Sequence, residues 1–142
     1  MRQEIFRRGY NEELGHFTQT YDTTEVDSAL LQLPQVGLIP PDDPAMLATV
    51  TAIEEQLIDE HGLVYRYRTH DGLDGLAGDE YPFLICNFWL VEQYARSGRV
   101  ADGKALMRQL ASYATDLQLL SEEYSPEHGR LAGNFPQAFS HI

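Results

Sequence analysis

The sequence predicts an all-α protein built as part of a two-layer helical ring, and three observations carry that prediction. Apolar residues recur at helical spacing over residues 44–60 and 100–114. Between them, residues 81–95 are apolar on nearly every side, the pattern of a helix covered all round. No segment sustains the apolar–polar alternation of a strand; residues 63–67 come nearest and are short.

Taken in order, residues 1–10 and 25–33 have weak helical patterns, broken up by Gly15, Pro34, Gly37, Pro40 and Pro41. Asp42-Asp43-Pro44 reads as a helix start. Asp43 can cap free N–H groups, and Pro44 sits at the first helical position, where a missing N–H costs nothing. Met46, Val50, Ile53 and Leu57 form one stripe of the helix that follows, to about Glu60, with Gly62 placed to end it. Phe83, Leu84, Ile85, Cys86, Phe88, Trp89, Leu90 and Val91 make up the all-round apolar helix, and Gly98 ends it. Leu106, Leu110 and Tyr113 mark an amphipathic partner over 100–114, so the two should pair antiparallel. A further apolar segment begins at Asn134. Residues 61–80 and 115–133 are long loops, which in compact helical proteins usually carry function. Fully covered helices alternating with one-sided ones fit a ring better than a four-helix bundle, and residues 1–142 read as one unit without repeats or linkers.

The 142 residues are 43% hydrophobic, enough for a core, and carry a formal charge of −12. That charge repels nucleic-acid phosphates and anionic lipid headgroups, which excludes both as expected partners. A neutral ligand such as a sugar meets no such repulsion, although acidity is also an ordinary route to solubility. Cys86 is the one cysteine and lies in an apolar run, so it is expected in the core, with no disulfide framework or cysteine-rich metal site. No run reaches the ~18 apolar residues of a membrane span, and the first residues lack a signal-peptide pattern; the expectation is a cytoplasmic protein.

The second long loop holds Leu119-Leu120-Ser121-Glu122-Glu123-Tyr124, then Gly129, then Gly133-Asn134-Phe135-Pro136-Gln137-Ala138-Phe139-Ser140-His141. Paired carboxylates beside a phenol and an aromatic segment are groups a glycosidase uses: a carboxylate to activate water and ring faces to hold a sugar. Two glutamates on a loop of an acidic chain are also what a solvated surface presents, and residue types alone do not separate the two. Asp71, Asp74 and Asp79 in a glycine-rich stretch invite a calcium reading, but their spacing departs from the EF-hand pattern. His61, His70 and His141 are not at metal-ligand spacing, and neither a metal nor a cofactor is expected.

The two segments 119–124 and 133–141 resemble the motif that closes the catalytic domain of glycoside hydrolase family 15, the glucoamylase and bacterial trehalase-like group. Arg66-Tyr67, Asp71-Gly72-Leu73, Glu80, Phe83-Leu84, Cys86 and Phe88-Trp89-Leu90 extend the likeness, as do Phe17, Gln19, Tyr21, residues 30–34, Val36-Gly37 and residues 40–44. The resemblance implies a partial (α/α)6 toroid of the six-hairpin type, with residues 1–142 as the C-terminal portion of the domain. It implies hydrolysis of α-glucosides with inversion in the complete enzyme, the substrate being maltooligosaccharide, glucan or trehalose. Glu122 matches the general base, and Arg66 an arginine that hydrogen-bonds sugar hydroxyls. Tyr81 and Tyr124 match aromatic positions about the pocket. Glu123 stands where fungal glucoamylases carry glutamine, so it is expected to contact substrate rather than act through its charge. Phe83 and Trp89 are expected to pack in the core. In the family the general acid lies upstream, in a Trp-Glu segment without counterpart here, so whether this chain alone is an enzyme stays open. A non-catalytic carbohydrate-binding or remnant module is the alternative. The implied partners are a neutral carbohydrate and, to cover the apolar helices, the other half of the domain or a second copy.

Overall fold

The computed structural model describes residues 1–21, 23–68 and 80–141. Among them are four α-helices: α1 (Arg2–Arg8), α2 (Pro44–Leu57), α3 (Leu84–Arg96) and α4 (Val100–Ala111). Two short antiparallel hairpins join them, β1 (Tyr10–Asn11) with β2 (His16–Phe17) and β3 (Glu123–Ser125) with β4 (Arg130–Ala132). Strands of two and three residues are too short to leave a readable alternation, which is why the sequence pattern misses them.

α2 begins as its sequence requires. The Asp43 carboxylate accepts from the Ala45 N–H at 2.9 Å, and Pro44 fills the first turn. It ends at Leu57, about three residues earlier than the periodicity suggests, because Ile58 turns extended and bridges to Val64. The Asp59 carboxylate then accepts from the N–H groups of His61 and Leu63, at 2.9 and 2.8 Å, and Gly62 takes a positive φ of 78°. Gly62 thus serves this tight turn and not the helix end. Within residues 25–33 the helical part is a 3-10 helix, Ser28–Gln32, capped by Asp27.

α3 is the central element. It packs along α4 and also meets the Ser28–Gln32 helix and the 3-10 helix Ala138–His141. It starts at Leu84, three residues later than the apolar run, since Phe83 is extended and bridges to Glu123. Gly98, with φ of 89°, turns the chain into α4. Gly103 is buried where a Cβ would lie 3.2 Å from the Val91 carbonyl oxygen, so glycine lets the two helices approach closely. Leu84, Cys86, Leu90 and Tyr94 are buried, while Ile85, Phe88, Trp89 and Val91 are half-buried against the core. Within these residues α3 is therefore covered on several sides but not on all. Tyr113 lies beyond the end of α4.

Polar side chains lock the layers together. The Thr49 hydroxyl accepts from the Phe17 N–H at 3.0 Å, fixing β2 to α2, and the Gln93 amide donates to the Pro41 carbonyl at 2.7 Å. Fully buried Asn87 makes three bonds: Oδ1 accepts from Val64 N at 2.9 Å, and Nδ2 donates to the carbonyls of Val64 and Phe83 at 3.2 and 2.9 Å. It fastens the residues after α2 to the first turn of α3. At the opposite end of α3, Tyr94 and Arg99 both donate to Glu54 Oε1, at 2.5 and 2.8 Å, and Arg99 also binds Asp102, joining α2, α3 and α4.

Candidate active site

Glu122, Glu123 and Tyr124 are held against the start of α3. That helix has no side-chain N-cap. Instead its Leu84 N–H donates to the Glu122 carbonyl at 2.9 Å, and the Tyr124 N–H donates to the Pro82 carbonyl at 3.1 Å. Phe83 bridges Glu123. Residues 122–124 therefore run between β4 on one side and residues 82–84 on the other, which holds an otherwise irregular loop as firmly as a sheet would.

The Glu122 carboxylate is held on one oxygen. Its Oε2 accepts from both the backbone N–H and the side-chain amide of Asn134, at 3.0 and 2.9 Å, while the Glu122 N–H donates to the Asn134 carbonyl at 2.9 Å. Oε1 has no hydrogen-bond partner among the described residues. The neighbouring Gly133 has a φ of 70°, and a Cβ there would lie 2.9 Å from Glu122 Oε2 and 3.0 Å from Glu122 Cβ. Glycine is needed at 133 for the carboxylate to occupy its position.

Glu123 points elsewhere. It is half-buried, and burial raises its carboxyl above the ordinary range, with the charges of Glu122 and then Glu80 adding to the rise and the Tyr81 backbone N–H opposing it. Glu80 and Tyr81 line a cleft of about 690 Å³ with Tyr65, Tyr67, Arg68 and His128. Neither Glu122 nor Arg66 lines it. Arg66 is exposed; its carbonyl accepts from Ser28 N at 2.9 Å, and its guanidinium lies 5.6 Å from the Tyr67 ring centre. Its charge favours the ionised forms of Asp27 and Cys86, against the larger rise that burial causes in each. Burial pushes the Cys86 thiol up to about 12, in keeping with its place in the core.

Tyr124 stacks on Tyr113, ring centres 3.7 Å apart and planes at 15°, and burial followed by the Tyr113 phenol raises its hydroxyl. One face of the ring is thus occupied by protein. Phe83 and Trp89 pack against the core as expected.

Sequence reasoning passed over Asn134 and Glu80 as site residues. Both stood within the segments it quoted, and the turn-type dipeptide Gly133-Asn134 is the sequence signal that marks Asn134. Among the described residues, no three His, Cys, Asp or Glu side chains are grouped to hold a metal ion. Asp71, Asp74, Asp79 and His70 lie outside the described residues, as does Asp71-Gly72-Leu73. No described helix is long and apolar enough to cross a membrane.

The sequence profile of glycosyl hydrolases family 15 matches residues 1–109 and 99–142. The chain is 43% identical over its whole length to a trehalase of Mycobacterium tuberculosis and 42% identical to a trehalase of Mycolicibacterium smegmatis. It spans about a fifth of each, 21%. Its fold is similar to that of a solved glycosidase, with a TM-score of 0.73 at 24% identity over 86% of this chain and 31% of that one. A variant of a glycosidase in complex with glucose matches equally well. The fold is accordingly a partial all-α toroid of the six-hairpin type.

Proposed function

The chain belongs to glycosyl hydrolase family 15, and from that premise we propose that it forms the C-terminal, general-base portion of a catalytic domain that hydrolyses α-glucosides. The observation that carries this reading is the one-sided hold on Glu122. A general base needs a fixed direction and a free lone pair. Asn134 fixes Oε2 and leaves Oε1 to take a proton from water. In an inverting glycosidase, that water attacks the anomeric carbon from the face opposite the leaving oxygen, which is protonated by a second carboxyl group set roughly 6.5–9.5 Å from the base. The acid comes from the rest of such a domain.

Arg66 serves as a donor to sugar hydroxyls, and Tyr81 as a wall against the ring. Glu123, partly desolvated and beside the Glu122 charge, works as a hydrogen-bonding group toward hydroxyls more than as a charge. Tyr124 offers its remaining face and its hydroxyl. The ligand is neutral, in keeping with a chain of net charge −12. Among α-glucosides trehalose stands first, because the relatives at 43% and 42% identity are trehalases.

The test is hydrolysis of trehalose, maltose and short α-glucans by this chain, alone and together with the complementary part of the domain. The released glucose is followed by NMR for the β-anomer. Glu122→Gln lowers kcat/KM by about 10²–10⁴-fold if Glu122 is the base. Undiminished turnover in that variant refutes the assignment.

A further inference from the structure

We propose that His141 is a positioning residue for Glu122, held as the neutral tautomer with its proton on Nδ1. The Leu120 N–H donates to His141 Nε2 at 3.0 Å, and His141 Nδ1 lies 2.8 Å from the Gln137 carbonyl oxygen. A backbone N–H can only donate, so Nε2 must carry a lone pair. A carbonyl can only accept, so Nδ1 must carry the hydrogen. Both contacts select the same tautomer, and protonation of both nitrogens is incompatible with the first.

The ring completes a clasp. Leu120 and Ser121 are 7% and 0% exposed, so their backbone groups need partners within the protein. Residues 134–141 supply them: Gln137 N donates to the Leu120 carbonyl at 3.0 Å, Ser140 Oγ to the Ser121 carbonyl at 2.7 Å, and the Asn134 carbonyl accepts from Glu122 N at 2.9 Å. His141 provides the acceptor for Leu120 N, two residues before the carboxylate. Asn134, at the other end of the same segment, grips Oε2. The ring therefore acts on Glu122 through the register of the two segments, without touching the carboxylate. Its meaning for catalysis rests on reading Glu122 as the base, whereas the clasp itself does not.

The experiment is NMR of the ¹⁵N-labelled chain. Long-range ¹⁵N–¹H spectra at neutral pH should show His141 with Nδ1 protonated and Nε2 bare. His141→Leu should speed hydrogen exchange at the amides of Leu120 and Asn134 together by about tenfold, the loss of one part-buried hydrogen bond. His141→Gln, which returns an acceptor near the Nε2 position, should restore protection at both. An Nε2-protonated ring in the native chain overturns the proposal, as does exchange that rises at Leu120 but not at Asn134. Glu122→Gln leaves the His141 tautomer unchanged. Failure of the base assignment therefore shows in turnover, and failure of the clasp shows in these spectra.

Discussion

Replacing Asn87 by leucine, which has similar volume, removes three hydrogen bonds at once, and the structure says what each is worth. The Val64 carbonyl keeps the Phe83 N–H at 3.2 Å, and the Phe83 carbonyl keeps the Cys86 N–H at 3.1 Å. Losing the Asn87 amide from these two costs only the net value of the extra bonds, about 1 kcal/mol together. The Val64 N–H is different. Asn87 Oδ1 is its partner at 2.9 Å, and Val64 is 0% exposed. An orphaned buried N–H costs about 1–3 kcal/mol, while the added apolar burial of leucine offsets part of the sum. We expect a net loss of about 2–3 kcal/mol. Asn87→Asp keeps the acceptor but faces a carboxylate toward two carbonyls, so it should be worse still. Urea unfolding followed by circular dichroism reads this as a midpoint lowered by about 1 M or more with an unchanged slope. A leucine variant within about 0.5 kcal/mol of the native protein refutes the reasoning, since Val64 N would then have found another partner. The site feels the same change, because Val64 leads to Arg66 and Phe83 bridges to Glu123.

Two further outcomes follow from the site. Gly133→Ala places a methyl group 2.9 Å from Glu122 Oε2 on a backbone with φ of 70°. It should cost about 1–2 kcal/mol in thermal unfolding and speed exchange of the Asn134 amide; an alanine variant with native stability and protection speaks against the contact. Glu123 has a folded-state carboxyl raised above its ordinary value of 4.5. The folded protein then binds more protons than the unfolded chain above that pH, so this group's contribution falls as pH rises through the folded value. Glu123→Gln should raise the melting temperature at pH 7 and leave it unchanged at pH 3; an equal shift at both refutes the titration as its cause.

The parts of the fold legible in the sequence were those that rest on local chemistry. Asp43-Pro44 announces a helix start because capping is decided within three residues. The stripe from Met46 to Leu57 announces its buried face, all four residues being buried as read. The end of α2 was not legible, because Ile58 leaves the helix to pair with Val64, and nothing in the residues around Leu57 forbids another turn. The hairpin of Glu123–Ser125 with Arg130–Ala132 was likewise hidden: its pairing depends on residues 82–84, some forty positions away in sequence. Glu122 was legible only through a motif, since an exposed acidic pair has the same composition. Its orientation came from Asn134, and hydrogen bonds across twelve residues have no periodicity to betray them.

The meeting of Gly133 with Glu122 also governs how these two positions can change over generations. Any side chain at 133 crowds the carboxylate and strains the backbone, so no replacement leaves the geometry of Glu122 untouched. Shortening Glu122 to alanine would remove the clash with its outer carboxylate atoms, but the left-handed backbone at 133 would still resist replacement. Gly133 is therefore held by two separate demands, the space taken by Glu122 and its own left-handed backbone, and loss of the carboxylate releases only the first.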